Sequence, residues 1–346
     1  MYILDHRCIS PQPTFNGCFF TGEVKINHGN LYYSIEPDYT DLIPKNLLRR
    51  MEKATRVGIG AGIPLLEKYP IIDGIILGTS TGGFSGCVEF LKQIVQYNEG
   101  TLTPTNFVQS TPNAVAGILA LMSKNRGYNI THTNLGLSFE ATLLDAMLLL
   151  EENEAKQLLV GAIEETSEYN YNIDSASDFF KEIAVPSTQL LQSNTKGSVR
   201  GEGAAMFVVS SKKDNALCEL VDVAQFSFPQ KNTIQEKVLQ FLKKNNTPLA
   251  AIDALVLGYN GDNRFDFRYD ELAEQFNDTS IFSYKNLIGD SPTANSFALW
   301  LSCSILEGKE IPKEVYYKET DKEIKSILIY NHYNNIQHSF ILMRSV

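Results

Sequence analysis

Short apolar runs alternate with longer helical stretches along the chain. Residues 74–77, 158–160, 204–209, 255–257 and 327–330 read as strands, while 88–97 and the stretch ending near Glu152 carry helical spacing. That alternation predicts an α/β architecture in which sheets are covered by helices. Residues 113–124 (NAVAGILALMSK) put small and apolar side chains on a broad helical face. Pro112 is placed to start that helix and Gly127 lies just past its end, so the helix is expected to pack on the central sheet. The stretch 141–150 is the longest apolar one and is broken by Asp145, which makes it a buried helix rather than a membrane span. At the C-terminus, residues 336–343 follow the turn-like HYNN at 332–335, predicting a strand, turn, strand ending that lies inside the fold.

The start of the chain, MYILDHRCISPQPTF, reads as a strand and a Pro-containing turn, without the basic start and apolar core of a signal peptide. A polar stretch at 210–215 marks the expected boundary between two halves, residues 1–212 and 213–346. With 346 residues the chain can bury a large interior. Its net charge of -10 argues against affinity for phosphate backbones, which rests on Lys and Arg, so nucleic acid is not an expected partner. The five cysteines, Cys8, Cys18, Cys87, Cys218 and Cys303, are scattered without a CxxC pair, so neither a zinc site nor a disulfide framework is expected. A reducing, cytoplasmic setting fits, with no membrane contact and no metal.

Three glycine-bearing segments flank apolar strands: GTSTGG at 78–83, GAIEE at 161–165 and RGEGAAMFVV at 200–209. Taken alone, GTSTGG is a tight turn; no GK[ST] follows it and the GxGxxG spacing is absent, so it is no nucleotide loop and no cofactor is implied. In this order, and followed by KNLIGD at 285–290 and the strand-turn-strand ending, the segments resemble the β-ketoacyl synthases over nearly the whole chain. The resemblance implies a thiolase-like, five-layered α-β-α-β-α fold of two related halves, and dimerisation.

The run TPTNFVQSTPNAVAG (103–117), then RGY (126–128), then GAIEE resembles the ketosynthase pattern without a gap, which puts Gly136, in TNLGLSFEA, at the place of the family's catalytic cysteine. Glycine offers nothing to acylate. The loop that bears the family's first catalytic histidine corresponds to VLGYNGDN (256–263), with Asn260 at the histidine's place, or Tyr259 if the loop shifts by one. Neither replaces an imidazole near neutral pH. The second histidine corresponds to Asp290, at the end of KNLIGD, and the retained Lys285 is expected to neutralise it. The family's glycine-rich gating loop corresponds to NHYNNIQHS (331–339), which has no glycine.

Other residues invite chemistry less well. His132 lies in an extended NITHTN stretch and reads as a strand histidine; His6, His28, His332 and His338 fall in terminal or turn-rich segments without ligand spacing. Ser138 and Glu140 flank the missing nucleophile, yet no histidine motif supplies the base a serine needs. Glu164 and Glu165 read as scaffold acids at a strand end.

What the resemblance implies is therefore a partner subunit without catalytic residues of its own. Ketosynthase relatives lacking the cysteine pair with an active ketosynthase and shape its acyl tunnel; they are chain-length factors. FVQSTPN and GLSFEATLLDA resemble a chain-length-factor-like branch that accompanies bacterial aryl polyene, flexirubin and dialkylresorcinol pathways. The expected partners are an active ketosynthase and an acyl carrier protein with its phosphopantetheine-linked chain. The expected tunnel-facing residues are Asn106, Phe107, Gln109, Ser110, Thr111 and Ala114. The alternatives are an enzyme with divergent residues, for example a malonyl carrier protein decarboxylase using Asn260 and the N–H near Gly136 as enolate donors, and an inert homodimer.

Overall fold

The computed structural model describes residues 1–22, 24–229 and 233–346. From the N-terminus the chain forms β1 (Tyr2–Ile9), β2 (Leu31–Tyr32), α1 (Lys45–Leu48), α2 (Lys53–Lys68), β3 (Gly74–Gly78), α3 (Phe84–Gln96), α4 (Pro104–Gln109) and α5 (Ala114–Ser123). Next come β4 (Tyr128–His132), α6 (Ser138–Glu151), β5 (Gln157–Glu164), α7 (Glu168–Ala176), β6 (Arg200–Gly201) and β7 (Gly203–Ser210). The remainder adds β8 (Cys218–Ser227), α8 (Thr233–Lys244), β9 (Ala254–Leu257), α9 (Phe267–Ala273) and β10 (Ser280–Ser283). It closes with α10 (Lys285–Ile288), α11 (Asn295–Leu306), β11 (Tyr316–Lys318), β12 (Ser326–Tyr333) and β13 (Gln337–Arg344). Each of the five apolar runs predicted as strands lies within one of these, and the three predicted helices are present as α3, α5 and α6.

The strand order repeats. The first part reads β4-β3-β5-β7-β1 and the second β10-β9-β12-β13-β8, with β11 added at the far edge. In chain order both sequences are third, second, fourth, fifth, first. The senses match too: β3 is parallel to β4 and β5, and β7 antiparallel to β5 and β1, just as β9 is parallel to β10 and β12, and β13 antiparallel to β12 and β8. The two parts join where β1 pairs with β8 through Tyr2↔Glu219 and Ile3↔Cys218.

Alternation along the strands explains the layers. In β5, Leu158, Val160 and Ala162 face one apolar cluster while Leu159 and Ile163 face another; in β9, Ala254 and Val256 face the first while Leu255 and Leu257 face a third. Strands apolar on both faces must be covered twice. Helix α6 packs on β3, β5 and β8, and α11 on β1, β7 and β12, so these two helices form the middle layer. Helices α2 and α5 cover the outer face of the first half, and α8 and α9 that of the second. The result is the five-layered α-β-α-β-α body. No helix among the described residues is long and apolar enough to cross a membrane.

Two boundaries differ from expectation. Helix α5 stops at Ser123 because Lys124 takes the left-handed conformation with φ 56°, so the predicted Gly127 stop is not used. Gly127 is instead required by close approach, since a Cβ there would lie 1.8 Å from the Asp73 carbonyl oxygen. The C-terminal turn is shorter than HYNN suggested: Asn334, Asn335 and Ile336 make it, the two asparagines with φ 51° and 53°, and His332 and Tyr333 already belong to β12, where Tyr333 pairs with Gln337. Strand β13 lies inside the sheet, whereas the terminal Val346 is exposed.

Candidate functional site

Strand β4 delivers the chain to an elbow in front of α6. Leu135 has φ 47°, and Gly136 sits in a single 3₁₀ turn, Leu135–Leu137, before the helix begins at Ser138. Ser138 serves this elbow: its Oγ accepts from the Asn134 N–H at 2.8 Å and donates to the Leu135 carbonyl at 2.8 Å. Glu140 is buried and accepts from Ser339 Oγ and Asn295 Nδ2, with its pKa raised by burial. Ser138 and Glu140 are thus committed to different partners and form no nucleophile–acid pair.

The space over Gly136 is full. A Cβ on Gly136 would lie 2.1 Å from Tyr333 Cβ and 2.7 Å from Tyr333 Cγ, well inside the roughly 3.5 Å at which carbons normally touch. The Gly136 N–H donates to Gln337 Oε1 at 2.8 Å, and Gln337 Nε2 reaches Asn134 Oδ1 at 3.3 Å. Tyr333 and Gln337 come from the two strands of the C-terminal hairpin, so the segment that resembles a gating loop is here a pinned lid on the elbow.

On the other side of Tyr333 lie Arg200, Asp290 and Asp174, and burial raises the pKa of the phenol. Arg200 is itself buried, paired with Asp174 through Nε at 2.8 Å and stacked with its guanidinium 4.1 Å from the Phe179 ring centroid. Backbone bonds tie it to the next segment: Gly201 N donates to Asp290 O, and Asp290 N to Val199 O. The Asp290 carboxylate receives Lys285 Nζ on Oδ1 at 2.8 Å and Asn260 Nδ2 on Oδ2 at 2.7 Å, all three residues being buried. The expected Lys285–Asp290 pairing is present. Of the two residues left open in the 256–263 loop, Asn260 is the one turned toward Asp290; Tyr259 donates to Asp270 at 2.7 Å and stacks on Tyr317. Below the loop, Asp266 accepts from the N–H groups of Asn260 and Gly261, and burial pushes its pKa up to about 7.

His332 and His338 face each other across β12 and β13 rather than lying in a turn, a correction to the sequence reading. His332 is buried beside the Lys285 cluster, and burial together with the Lys285 charge holds its pKa far below the usual value. Both its nitrogens are occupied: Nε2 meets the Phe265 carbonyl at 3.3 Å and Nδ1 accepts from Asn335 N at 3.3 Å. It supplies no free base. His132 pairs with Asp145 at 2.8 Å on the β4 surface. At the other strand end, Glu164 accepts from the Thr81 N–H at 3.1 Å and also holds Ser80 and Thr79, fixing the GTSTGG turn; burial raises its pKa to about 6. No group of three or more His, Cys, Asp or Glu among the described residues is placed to hold a metal.

The six residues expected to face a tunnel lie on α4, in the link that follows it and at the start of α5. Gln109 points inward, donating to the Arg50 carbonyl at 2.6 Å and accepting from Glu52 N at 2.8 Å. With Thr111 and Ala114 it borders a void of only 10 Å³. Ser110 Oγ turns back to the Phe107 carbonyl, and Asn106 is half-buried in α4. Phe107 is 57% exposed and leans on Phe90 of α3, with ring centroids 5.4 Å apart. The open space here is a surface groove of 490 Å³, bordered by Leu47, Val108, Ile118 and Leu121. Tyr333 and Gln337, which close the elbow, lie in the 331–339 segment that resembles the gating loop, but no single residue of it is marked in the sequence as the one that covers Gly136.

The sequence matches the family described as β-ketoacyl synthase, N-terminal domain, over residues 27–247. No curated protein matches it. Among solved structures, the chain is similar to a β-ketoacyl synthase from Burkholderia phymatum STM815, with TM-score 0.80 and 13% identity, covering 100% of this chain and 99% of that one. It is also similar to the ishigamide ketosynthase/chain length factor, with TM-score 0.78, 15% identity and coverage of 100% and 99%. A third match is a ketosynthase in complex with its chain length factor from Xenorhabdus doucetiae, with TM-score 0.77, 13% identity and coverage of 100% and 98%.

Proposed function

Since this chain belongs to the β-ketoacyl synthase family, we propose that it keeps the fold without the condensing chemistry and acts as a chain-length-factor-like subunit. It dimerises with an active ketosynthase and shapes that enzyme's acyl tunnel, in polyketide or aryl polyene-type biosynthesis with carrier-protein-bound chains. The observation that carries this reading is the elbow: Gly136 lies where the resemblance puts the nucleophile, and Tyr333 fills the space a nucleophilic side chain would need. Asn260 and Asp290 hold each other and Lys285 instead of presenting imidazoles.

The surface supports pairing. Strand β4 is an open edge of the sheet, and an open edge offers unpaired backbone groups to another chain. Around it Leu121 is 79% exposed, and Phe107, Val108 and Leu135 are each more than half exposed. An apolar face of this kind marks an interaction surface. The residues 106–114 lie on that side, so a partner would convert their outward positions into a shared wall.

The decarboxylase alternative asks Asn260 and the elbow N–H to stabilise an enolate. Both donors are already engaged, by Asp290 and Gln337 respectively. Co-expression with a cysteine-containing ketosynthase tests the proposal: a 1:1 complex that survives gel filtration, burying about 2,000 Å² or more, is expected. Separate elution at micromolar concentration would remove its main support, and carbon dioxide release from malonyl carrier protein by the isolated chain would favour the alternative.

A further inference from the structure

Two of the five cysteines touch. Cys218 opens β8, Cys303 lies near the end of α11, and the Cys218 thiol donates to Cys303 Sγ at 3.6 Å, although 85 positions separate them along the chain. Both are wholly buried in the apolar cluster that also holds Ile3, Phe207 and Trp300, away from the elbow and its lid. A thiol is a weak donor and a weak acceptor, so the contact holds little by itself. Two thiols this close are, however, the reduced form of a disulfide. Bond formation asks the sulfurs to close from 3.6 Å to about 2 Å, a movement that small rotations of the two side chains supply.

Burial protects the pair in the closed fold. It raises the pKa of Cys303, with the hydrogen bond from Cys218 next in effect, and so keeps the reactive thiolate scarce. Reaction therefore waits on local opening, and the pair stands where opening is easiest. Cys218 follows a turn whose residues 211–215 are exposed, and the seam it belongs to is short: among the described residues β1 and β8 pair through Tyr2↔Glu219 and Ile3↔Cys218 alone. The Cys303 carbonyl accepts from the N–H of Glu307, the residue that caps α11, so unwinding the last turn loosens it. Element ends beside exposed turns open at a fraction of the free energy of global unfolding.

We propose that Cys218 and Cys303 form a redox lock, in which a hydroperoxide converts the dithiol to a disulfide that fastens the seam between the two halves. During an opening, the Cys218 sulfur attacks a peroxide oxygen. An S–O bond forms, the O–O bond breaks, and water or an alcohol leaves, giving a sulfenic acid. The Cys303 sulfur then attacks the sulfenic sulfur; the S–S bond forms, the S–O bond breaks, and hydroxide leaves as water with the Cys303 proton. One peroxide is reduced by two electrons for each dithiol oxidised, and a thiol reductant reverses the change. The product ties the first strand of the second half to α11, which rests on β1 and β7 of the first. The lock is independent of the elbow and of any ketosynthase partner.

The test is to incubate the purified full chain with hydrogen peroxide and map its peptides without reduction. One cross-linked pair, Cys218 to Cys303, should appear, two hydrogen masses below the sum of its parts, and dithiothreitol should release it. The oxidised protein should melt about 3 °C or more above the reduced one, because the cross-link restricts the unfolded chain between residues 85 positions apart. Cys218→Ala and Cys303→Ala should each lose both the cross-link and the rise. Absence of that peptide pair, or a cross-link that favours Cys8, Cys18 or Cys87, would overturn the proposal. A cross-linked protein with an unchanged melting temperature would equally overturn it, since the disulfide would then fasten nothing.

Discussion

The elbow makes a quantitative prediction about a single methyl group. Gly136 is not among the glycines with positive φ, so alanine there suffers no backbone strain, and any cost is steric. The added Cβ would sit 2.1 Å from Tyr333 Cβ, an overlap of more than an ångström, and 3.2 Å from Gln337 Oε1. Both carbons are fixed to their backbones, so no rotamer change relieves the contact; the hairpin itself must shift. Overpacking of this kind costs about 1–3 kcal/mol, sometimes more, and here the upper end, about 3 kcal/mol, is expected for Gly136→Ala.

Pairing the change with substitutions at Tyr333 isolates the cause. Tyr333→Ala keeps the offending Cβ, so the double variant with Gly136→Ala should be roughly additive. Tyr333→Gly removes it, and the double variant should recover about 2 kcal/mol relative to additivity, within the usual range for directly touching residues. Urea denaturation of the parent and its five variants reads the two cycles. A Gly136→Ala variant within about 0.5 kcal/mol of the parent, or strict additivity with Tyr333→Gly, would refute the claim that Tyr333 occupies the nucleophile's space.

Breaking the buried pair by Lys285→Met should cost about 3–5 kcal/mol, because it strands the Asp290 charge, and adding Asp290→Asn should restore part of that loss in the same denaturation assay. Asp266, raised to about 7 when folded, keeps its proton in the native state while the unfolded carboxyl loses it near pH ~4. Its contribution is therefore fully present below pH ~4 and lost as pH rises toward 7, so Asp266→Asn should gain stability relative to the parent across that window; a parallel pH profile would contradict the assignment. In a complex with an active ketosynthase, Ser110→Phe or Ala114→Phe should shorten the product and Phe107→Ala lengthen it, and unchanged product masses from an intact complex would remove the chain-length role.

The sequence carried the strands because they are apolar on both faces, as 158–160 and 255–257 are, and such runs leave few other readings. It singled out Gly136, Asn260 and Asp290 as expectations because each stands in a motif of several residues with fixed spacing, and the structure brings Asn260 and Asp290 together at 2.7 Å. Helix α2 went unread: VGIGAG looks like a poor helix, yet its glycines admit Val115, Tyr39 and Leu119 at distances a Cβ would forbid, so packing overrides propensity. The lid was invisible for a different reason. Tyr333 is nearly two hundred residues from Gly136, and only the pairing of β12 with β13 and the placement of α6 bring them together. The same applies to His332 and His338, which a linear reading assigns to a turn and the three-residue turn at 334–336 places in register across a sheet. The orientation of Phe107 and Ser110 depends on the helix α4 phase, which six residues cannot fix by pattern alone.

The central claim is that this chain assembles with a ketosynthase and leaves the acyl transfer to it. Native mass spectrometry of the co-expressed pair, after incubation with an acyl carrier protein donor, reads assembly and acylation together. A 1:1 complex with the acyl increment on the ketosynthase alone is the predicted result. Absence of the complex, or an acyl increment on this chain, would contradict it.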